Sequence, residues 1–296
     1  MNPTATIFRL RPAAAFAAAA LLSACAGSGE PPASAQRVHA LTESNALLTF
    51  DANRPGALLE RKDVQGLPAG ETLLAIDFRP ATGMLYAAGS AGRLYTLDPR
   101  SGAATRVGGE TFAAQARGEL GFDFNPVVDR IRVVDAQGAN LRLHPDTGAV
   151  VDAQPKTPGV QTDWKLAYAI EDPNEGKTPR VVGAAYTNRA GSKWTTNYAI
   201  DAAQAVLVTQ GTREGQSPAK PPTSPNSGRL YTVGPLGVQQ NVLRGERIGF
   251  DIAPQGRRAY ASFGTDFYAI DLATGAARRI GTIGSGEVVR GIALAP

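Results

Sequence analysis

The chain is poor in the side chains that most often carry catalysis or covalent cross-links. Its 296 residues include one cysteine, two histidines and two tryptophans. Because a single cysteine cannot form an internal disulfide, the folded part must depend on packing for its stability. No Gly-x-Ser-x-Gly elbow, phosphate-binding loop or pair of histidines at metal-binding spacing occurs. The sequence therefore points to no particular reaction.

Charge gives little information about partners. The formal net charge is +4, and two of the basic residues, Arg9 and Arg11, precede the apolar stretch near the N-terminus. Basic pairs farther along, such as residues 257–258 and 278–279, are typical of solvated strand faces rather than of a nucleic-acid groove. We therefore expect no nucleic-acid partner.

One phrase recurs along the chain and predicts its architecture. It occupies residues 74–80, 120–126, 248–254 and 290–296, and each copy ends in proline. Pro126 follows Pro80 by 46 residues, and Pro296 follows Pro254 by 42 residues. Short apolar runs separated by tight turns fill each interval, which is typical of strands joined by hairpins. A repeat of this length indicates a β-propeller blade.

The repeats predict an all-β fold, a propeller of five four-stranded blades. A weaker unit fits around residues 182–201, and a sixth blade would be needed if the long segment 153–180 held another. The last copy of the phrase supplies one strand, and residues 38–51 supply the following strands of the same unit. We therefore expect the C-terminal strand to pair with N-terminal strands and close the ring. An open β-sandwich fits repeats of this period poorly.

The N-terminus has the pattern of an exported lipoprotein. Two arginines precede an apolar stretch too short to cross a bilayer, and the segment 22–25 resembles a lipobox ending in Cys25. We expect a signal peptide over 1–24, a lipidated Cys25 with a flexible tether to residue 37, and one propeller domain over 38–296. The alternative is an ordinary leader cleaved near residues 33–35. Lipidation predicts a location in the cell envelope, anchored to the outer membrane and facing the periplasm or the cell surface.

Three aspartates occupy the same position of the repeated phrase. They are Asp77, Asp123 and Asp251, and repeat symmetry should bring them to the propeller axis. Converging carboxylates are a site for a hard cation such as calcium or magnesium. The alternative is that each accepts a hydrogen bond from a loop of the adjacent blade. Ala185 and Ala293 take this position in the other two units, which weakens the ring.

Long segments between repeats are the other candidates for recognition, because loops on a rigid scaffold commonly carry binding residues. One contains Trp164 and Tyr168, and another is the proline-rich stretch 215–226. Asn188 and Trp194 lie between two predicted strands of the weaker unit. For Trp194 we expect packing at a blade interface in preference to stacking on a sugar.

Three segments carry a resemblance to a known family. Residues 249–252, 184–188 and 231–237 resemble exported bacterial proteins of domain-of-unknown-function family 4394, and the likeness extends over residues 38–296. The resemblance implies a secreted or surface β-propeller-like domain. It carries over no activity and no catalytic residues.

The leading functional hypothesis is a lipid-anchored envelope module that binds a protein or a glycan through loops on one face. The alternative is a metal-assisted hydrolase or lactonase with its cation at Asp77, Asp123 and Asp251. A purely structural envelope component is a third hypothesis. Fold analogy cannot choose among them, because propellers serve many functions.

Overall fold

Five antiparallel sheets surround a central axis and form a five-bladed β-propeller. The computed structural model describes Met1 and residues 35–214, 222–243, 247–254 and 258–296. Residues 35–296 form one compact unit. The predicted all-β class and the count of five blades are confirmed. Cys25 and the rest of the predicted leader lie outside the described residues.

The strands follow one another in chain order from blade to blade. Those of the first and second blades are β1 (Arg37–Thr42), β2 (Ala46–Asp51), β3 (Arg54–Asp63), β4 (Leu73–Arg79), β5 (Met84–Gly89), β6 (Leu94–Leu97) and β7 (Ala104–Val107). The third blade contains β8 (Leu120–Asn125), β9 (Arg130–Asp135) and β10 (Asn140–Leu143).

The chain continues through the fourth and fifth blades and then returns to the first. Those of the fourth blade are β11 (Ala167–Tyr168), β12 (Val181–Tyr186), β13 (Asn197–Asp201), β14 (Val206–Gln210) and β15 (Arg229–Pro235). The fifth blade contains β16 (Ile248–Ile252), β17 (Ala259–Phe263), β18 (Asp266–Ile270) and β19 (Ala277–Thr282). The last strand, β20 (Val289–Leu294), belongs to the first blade. A 3₁₀ turn at Pro225–Ser227 and the helix α1 (Gln240–Leu243) accompany them. Among the described residues, no helix is long and apolar enough to span a bilayer.

The ring closes by pairing of the two ends of the domain. Strand β20 lies antiparallel to β1, with Val38 opposite Leu294, so the first blade has the order β20-β1-β2-β3. The predicted closure is therefore confirmed. It removes a sheet edge that would otherwise be open to pairing with another chain.

Two blades depart from four strands. The third has three, because after β10 only Val150 forms an isolated bridge to Leu143. The fourth has five, because β11 adds parallel to β15 at its outer edge. The expected long segment at 153–180 therefore contributes to the outside of the fourth blade and does not contain a sixth blade.

Glycine in the repeated phrase lets the innermost strands approach one another at the axis. A Cβ at Gly249 would lie 2.7 Å from the Ile292 nitrogen, and one at Gly121 would lie 2.8 Å from the Ala184 nitrogen. Both neighbours are backbone atoms of the next innermost strand, so they cannot rotate away. The phrase thus encodes a backbone contact between blades as well as a strand.

Apolar and aromatic side chains fill the space between neighbouring blades. Tyr86 of the second blade packs edge-on against Phe124 of the third, with ring centroids 5.1 Å apart. Phe50 of the first blade meets Phe267 of the fifth in the same way at 5.2 Å. Edge-to-face pairs of this kind stabilise by more than their buried area alone. The core therefore consists of layers between the sheets.

We predict that Gly249→Ala destabilises the domain by about 1–3 kcal/mol, because the added methyl group must displace backbone of the next blade. The measurement is the free energy of unfolding in a denaturant titration. Gly109→Ala is the matched control, since no atom lies within 4 Å of a Cβ at that position. Equal losses in the two variants would contradict the close-approach explanation.

Candidate functional site

The candidate site lies on the propeller axis, near the ends of the innermost strands. Asp77, Asp123 and Asp251 belong to β4, β8 and β16, and all three are buried. One carboxylate oxygen from each lies within 4.8 Å of the others. The structure thus brings together the three aspartates that share a position in the repeat.

Each of these carboxylates also links two blades. One oxygen accepts a hydrogen bond from a backbone N–H of the next innermost strand along the ring. The three bonds are Phe124 N to Asp77 Oδ2 at 2.8 Å, Tyr186 N to Asp123 Oδ1 at 3.0 Å and Leu294 N to Asp251 Oδ2 at 2.6 Å. The interblade alternative considered from the sequence is therefore present, with strand amides as donors in place of loop amides.

The second oxygens differ among the three aspartates. Asp77 and Asp251 each also accept the N–H of the residue that follows them, at 2.7 and 2.5 Å. Asp123 cannot do so, because the N–H of Phe124 is already bonded to Asp77. Within the described part of the chain, no donor contacts Asp123 Oδ2. This buried residue thus retains an oxygen that is free to bind a ligand.

A small cavity lies at the three carboxylates. Its volume is about 40 Å³, and Pro80, Pro254 and Pro296 are part of its lining. One water needs at least about 10–15 Å³ on this measure, so the cavity accepts a few water-sized groups. A cation with some of its water fits this space, whereas a sugar or a peptide does not.

Burial and mutual repulsion disfavour three negative charges at this point. Burial raises the pKa of Asp251 to about 7. Burial, followed by the Asp251 carboxylate, raises the pKa of Asp77 well above its usual value. The pKa of Asp123 rises through burial and then through both neighbouring carboxylates. A proton or a cation bound at the ring would relieve this unfavourable accumulation of negative charge.

The arginine that lines the cavity does not neutralise the ring. Arg79 forms a bidentate pair with Asp129, at 2.9 Å from Nε to Oδ1 and 2.5 Å from Nη2 to Oδ2. Its Nη1 also donates to Asp146 at 2.7 Å. The Arg79 charge is thus paired with the two turn aspartates and not with the axial carboxylates.

A wider groove of about 210 Å³ adjoins the axial cavity and shares Pro80 and Asn188 with it. Pro126 and Val127 belong to one side, and the β12–β13 loop forms the other side and includes Trp194. The Trp194 side chain is 68% exposed. The expectation that Trp194 packs at a blade interface is therefore wrong.

The loop that carries Trp194 is held at its base by three threonines. Thr187 N donates to the Thr196 carbonyl at 3.0 Å, and Thr196 N donates to Thr187 Oγ1 at 2.9 Å. Thr195 Oγ1 donates to the Thr187 carbonyl at 2.6 Å. Farther out, Ser192 Oγ bonds both backbone groups of Trp194. The groove wall is thus ordered by local hydrogen bonds.

The other predicted loop residues lie elsewhere. Tyr168 is buried and donates its hydroxyl to Asp201 Oδ2 at 2.5 Å, so it supports the fourth blade and cannot contact a ligand. Trp164 is exposed but lines neither the axial cavity nor the groove. Asn188 and Trp194 are thus the two loop predictions that meet near the aspartates.

The inserted segments bind each other through a buried arginine. Arg132 donates to Asp163 Oδ2 and to Asn226 Oδ1, each at 2.7 Å. Trp164 N adds a bond to the Asn226 carbonyl at 3.0 Å. These contacts give the insertions a structural role at the third and fourth blades.

Sequence reasoning missed Arg79 and the prolines as parts of the site. The signal was available for the prolines, because each ends a copy of the repeated phrase three residues after the axial position. No comparable signal exists for Arg79, whose partners Asp129 and Asp146 lie in two separate turns of the next blade.

Comparison with known proteins places the chain in a family. The family model described as domain of unknown function DUF4394 matches residues 46–293. The chain belongs to this family. No curated protein sequence matches this DUF4394 chain.

Two solved structures are similar in outline to this DUF4394 protein. A crystal structure of a nidogen/laminin complex aligns with a TM-score of 0.49 and 11% identity, over 88% of this chain and 98% of that one. The dihydro-heme d1 dehydrogenase NirN aligns with a TM-score of 0.37 and 15% identity, over 82% of this chain and 43% of that one.

We predict that the axial ring makes the metal-free DUF4394 domain less stable as pH rises from about 4 to about 7. Native carboxylates with raised pKa values hold protons that the unfolded chain releases, so their contribution is present at low pH and lost through the native pKa. Asp123→Asn removes one of these charges while its amide oxygen can still accept the Tyr186 N–H. With chelator present, the variant should melt above the wild type at about pH 8 and close to it at about pH 4. A variant that is less stable at both pH values would contradict the prediction.

Proposed function

We propose that the protein is a cation-dependent binding module of the bacterial cell envelope. Its ligand binds on the face near the ends of the innermost strands, above a divalent cation held by the axial aspartates. One observation carries this proposal. Three buried carboxylates converge within 4.8 Å at a cavity on that face, and Asp123 Oδ2 has no donor in the described part of the chain.

The chemistry of the ring suits a hard cation. Calcium takes six to eight oxygen ligands and magnesium six, and both accept carboxylates together with water. The aspartates supply at least three oxygens, and the cavity of about 40 Å³ leaves room for water ligands. A cation would also remove the repulsion that raises the pKa values of Asp77 and Asp123. Calcium is the cation that we expect, because it tolerates irregular geometry better than magnesium.

Catalysis at the same cation is the second candidate function. A metal ion in a cavity open to a groove can hold water and substrate at neighbouring positions, as a hydrolase or lactonase requires. The room left beside the carboxylates favours this candidate. This catalytic candidate requires the same cation. A domain that binds no metal would therefore contradict both catalysis and cation-dependent binding.

The envelope location rests on the N-terminal sequence. A short apolar segment after Arg9 and Arg11 ends at the lipobox-like residues before Cys25. The segment between Cys25 and β1 is rich in glycine, serine, alanine and proline, which suits a tether. Anchoring through Cys25 would hold the propeller at a membrane surface, as a module that captures envelope components requires.

We predict that calcium raises the melting temperature of the chelator-treated domain and that Asp123→Asn abolishes this rise. Binding to the native state alone stabilises by about 2.7 kcal/mol at a hundredfold excess of ligand over its dissociation constant. The measurement is thermal unfolding of residues 35–296 with and without calcium or magnesium.

Asp98→Asn is the matched control for this experiment. Asp98 lies in a turn away from the axis, where its side chain accepts the Arg100 N–H, and asparagine can accept the same bond. The control should respond to calcium as the wild type does. A wild-type domain that neither cation stabilises would overturn the cation site.

We predict that Cys25→Ser releases the full-length protein from membranes, because serine offers no thiol for lipid attachment. The measurement is the distribution of the protein between membrane and soluble fractions of the expressing bacterium. Ser23→Ala is the control and should leave the protein with the membranes, since the cysteine is retained. Continued membrane retention of the Cys25 variant would refute the lipid anchor.

A further inference from the structure

We infer that the groove beside the axial cavity is a subsite for an uncharged sugar ring stacked on Trp194. The inference rests on the proposed binding function and names the class of ligand. It is carried by the position of an exposed aromatic side chain, an unpaired amide and a neutral groove next to the candidate cation site. Each of these features is a separate observation.

Trp194 offers a flat apolar surface that the fold does not use internally. Trp194 is 68% exposed. Its own backbone N–H and carbonyl are bonded to Ser192 Oγ, and the side chain of the next residue, Thr195, donates to the Thr187 carbonyl. A large aromatic side chain that is exposed in a groove, on a backbone held by hydrogen bonds, is typical of a binding site, because it provides a large contact area. The apolar face of a pyranose ring matches such a surface.

The two charged side chains that line the groove, those of Asp129 and Arg189, each have an ion-pair partner. Asp129, which lines it, is bound by both nitrogens of the Arg79 fork. Arg189 lies 3.6 Å from Glu214, which is its ion-pair partner. A charged ligand would find no lining side chain of opposite charge that lacks an ion-pair partner. Charge complementarity therefore favours a ligand without net charge.

Hydrogen-bonding capacity remains at Asn188. Its side-chain amide forms no hydrogen bond with any residue that the structure describes, and it borders both the groove and the axial cavity. An amide can donate to one hydroxyl and accept from another. A sugar ring stacked on Trp194 would thus present its hydroxyl edge to Asn188 and, beyond it, to a cation at the aspartates.

The walls of the groove argue against a peptide as the occupant. Extended peptides gain affinity from backbone N–H and C=O groups along an exposed strand edge. Here the opposing wall consists of turns that contain Pro80 and Pro126, and proline has no N–H to donate. The groove therefore presents side chains to a ligand and not a continuous strand edge.

The chain has two tryptophans, so Trp164→Phe leaves Trp194 as the sole indole reporter of the groove. The probes are maltotetraose, cellotetraose and chitotetraose at millimolar concentrations, with calcium present. We expect a saturable change in fluorescence with at least one of them. Asn188→Ala in the same background should weaken that binding by about tenfold, which is about 1.4 kcal/mol. Trp194→Phe, which retains Trp164, is the matched control and should show no change.

The outcomes separate this inference from the proposed function. No saturable change with any sugar, in samples whose melting temperature rises with calcium, would overturn the sugar subsite and leave the cation site standing. A response to tetra-alanine in place of the sugars would overturn it in favour of a peptide. Sugar binding that survives chelation and Asp123→Asn would support the groove and contradict a role for the cation in recognition.

Discussion

The close approach of five innermost strands around one axis is the constraint on which the rest of this structure depends. Strands this close need a position without a side chain, which Gly121 and Gly249 provide, and a partner for the amides that face the axis. The aspartates supply that partner by accepting N–H groups from neighbouring blades. A buried amide without an acceptor costs about 1–3 kcal/mol, so these bonds matter for the ring as a whole.

The same bonds create the chemistry of the axis. To reach an amide of the next blade, each carboxylate must be buried beside the axis, and three of them then crowd together. Burial raises the pKa values of all three aspartates, and repulsion from neighbouring carboxylates adds to this for Asp77 and Asp123. The groups that join the blades would therefore be stabilised by a bound proton or cation. A structural role and a ligand-binding role are therefore compatible in one ring. Ala185 and Ala293 occupy the equivalent position in the other two blades, so the ring contains three carboxyl groups.

The proposed recognition surface and the contacts that stabilise the insertions lie in different parts of the protein. The buried Arg132 pair with Asp163 joins the insertions to the third and fourth blades, while the exposed Trp194 stands on a loop whose base is tied by threonines. Both arrangements order a segment through local hydrogen bonds. Each leaves a tryptophan exposed, Trp164 in the first and Trp194 in the second. Only Trp194 lines the groove that adjoins the axial cavity through Asn188.

The blade period, the closure of the ring by strands at both ends and the equivalence of the three aspartates can be predicted from the sequence, because each follows from a repeat that can be counted along the chain. The oxygen of Asp123 that lacks a described donor could not be predicted. It arises because Asp77 of the preceding blade accepts the N–H of Phe124, the residue that follows Asp123. The exposure of Trp194 and the burial of Tyr168 could not be predicted either, because neither residue has an equivalent in the other repeats. These properties depend on the folded arrangement, since burial and competition for hydrogen bonds are set by neighbours that are distant in sequence.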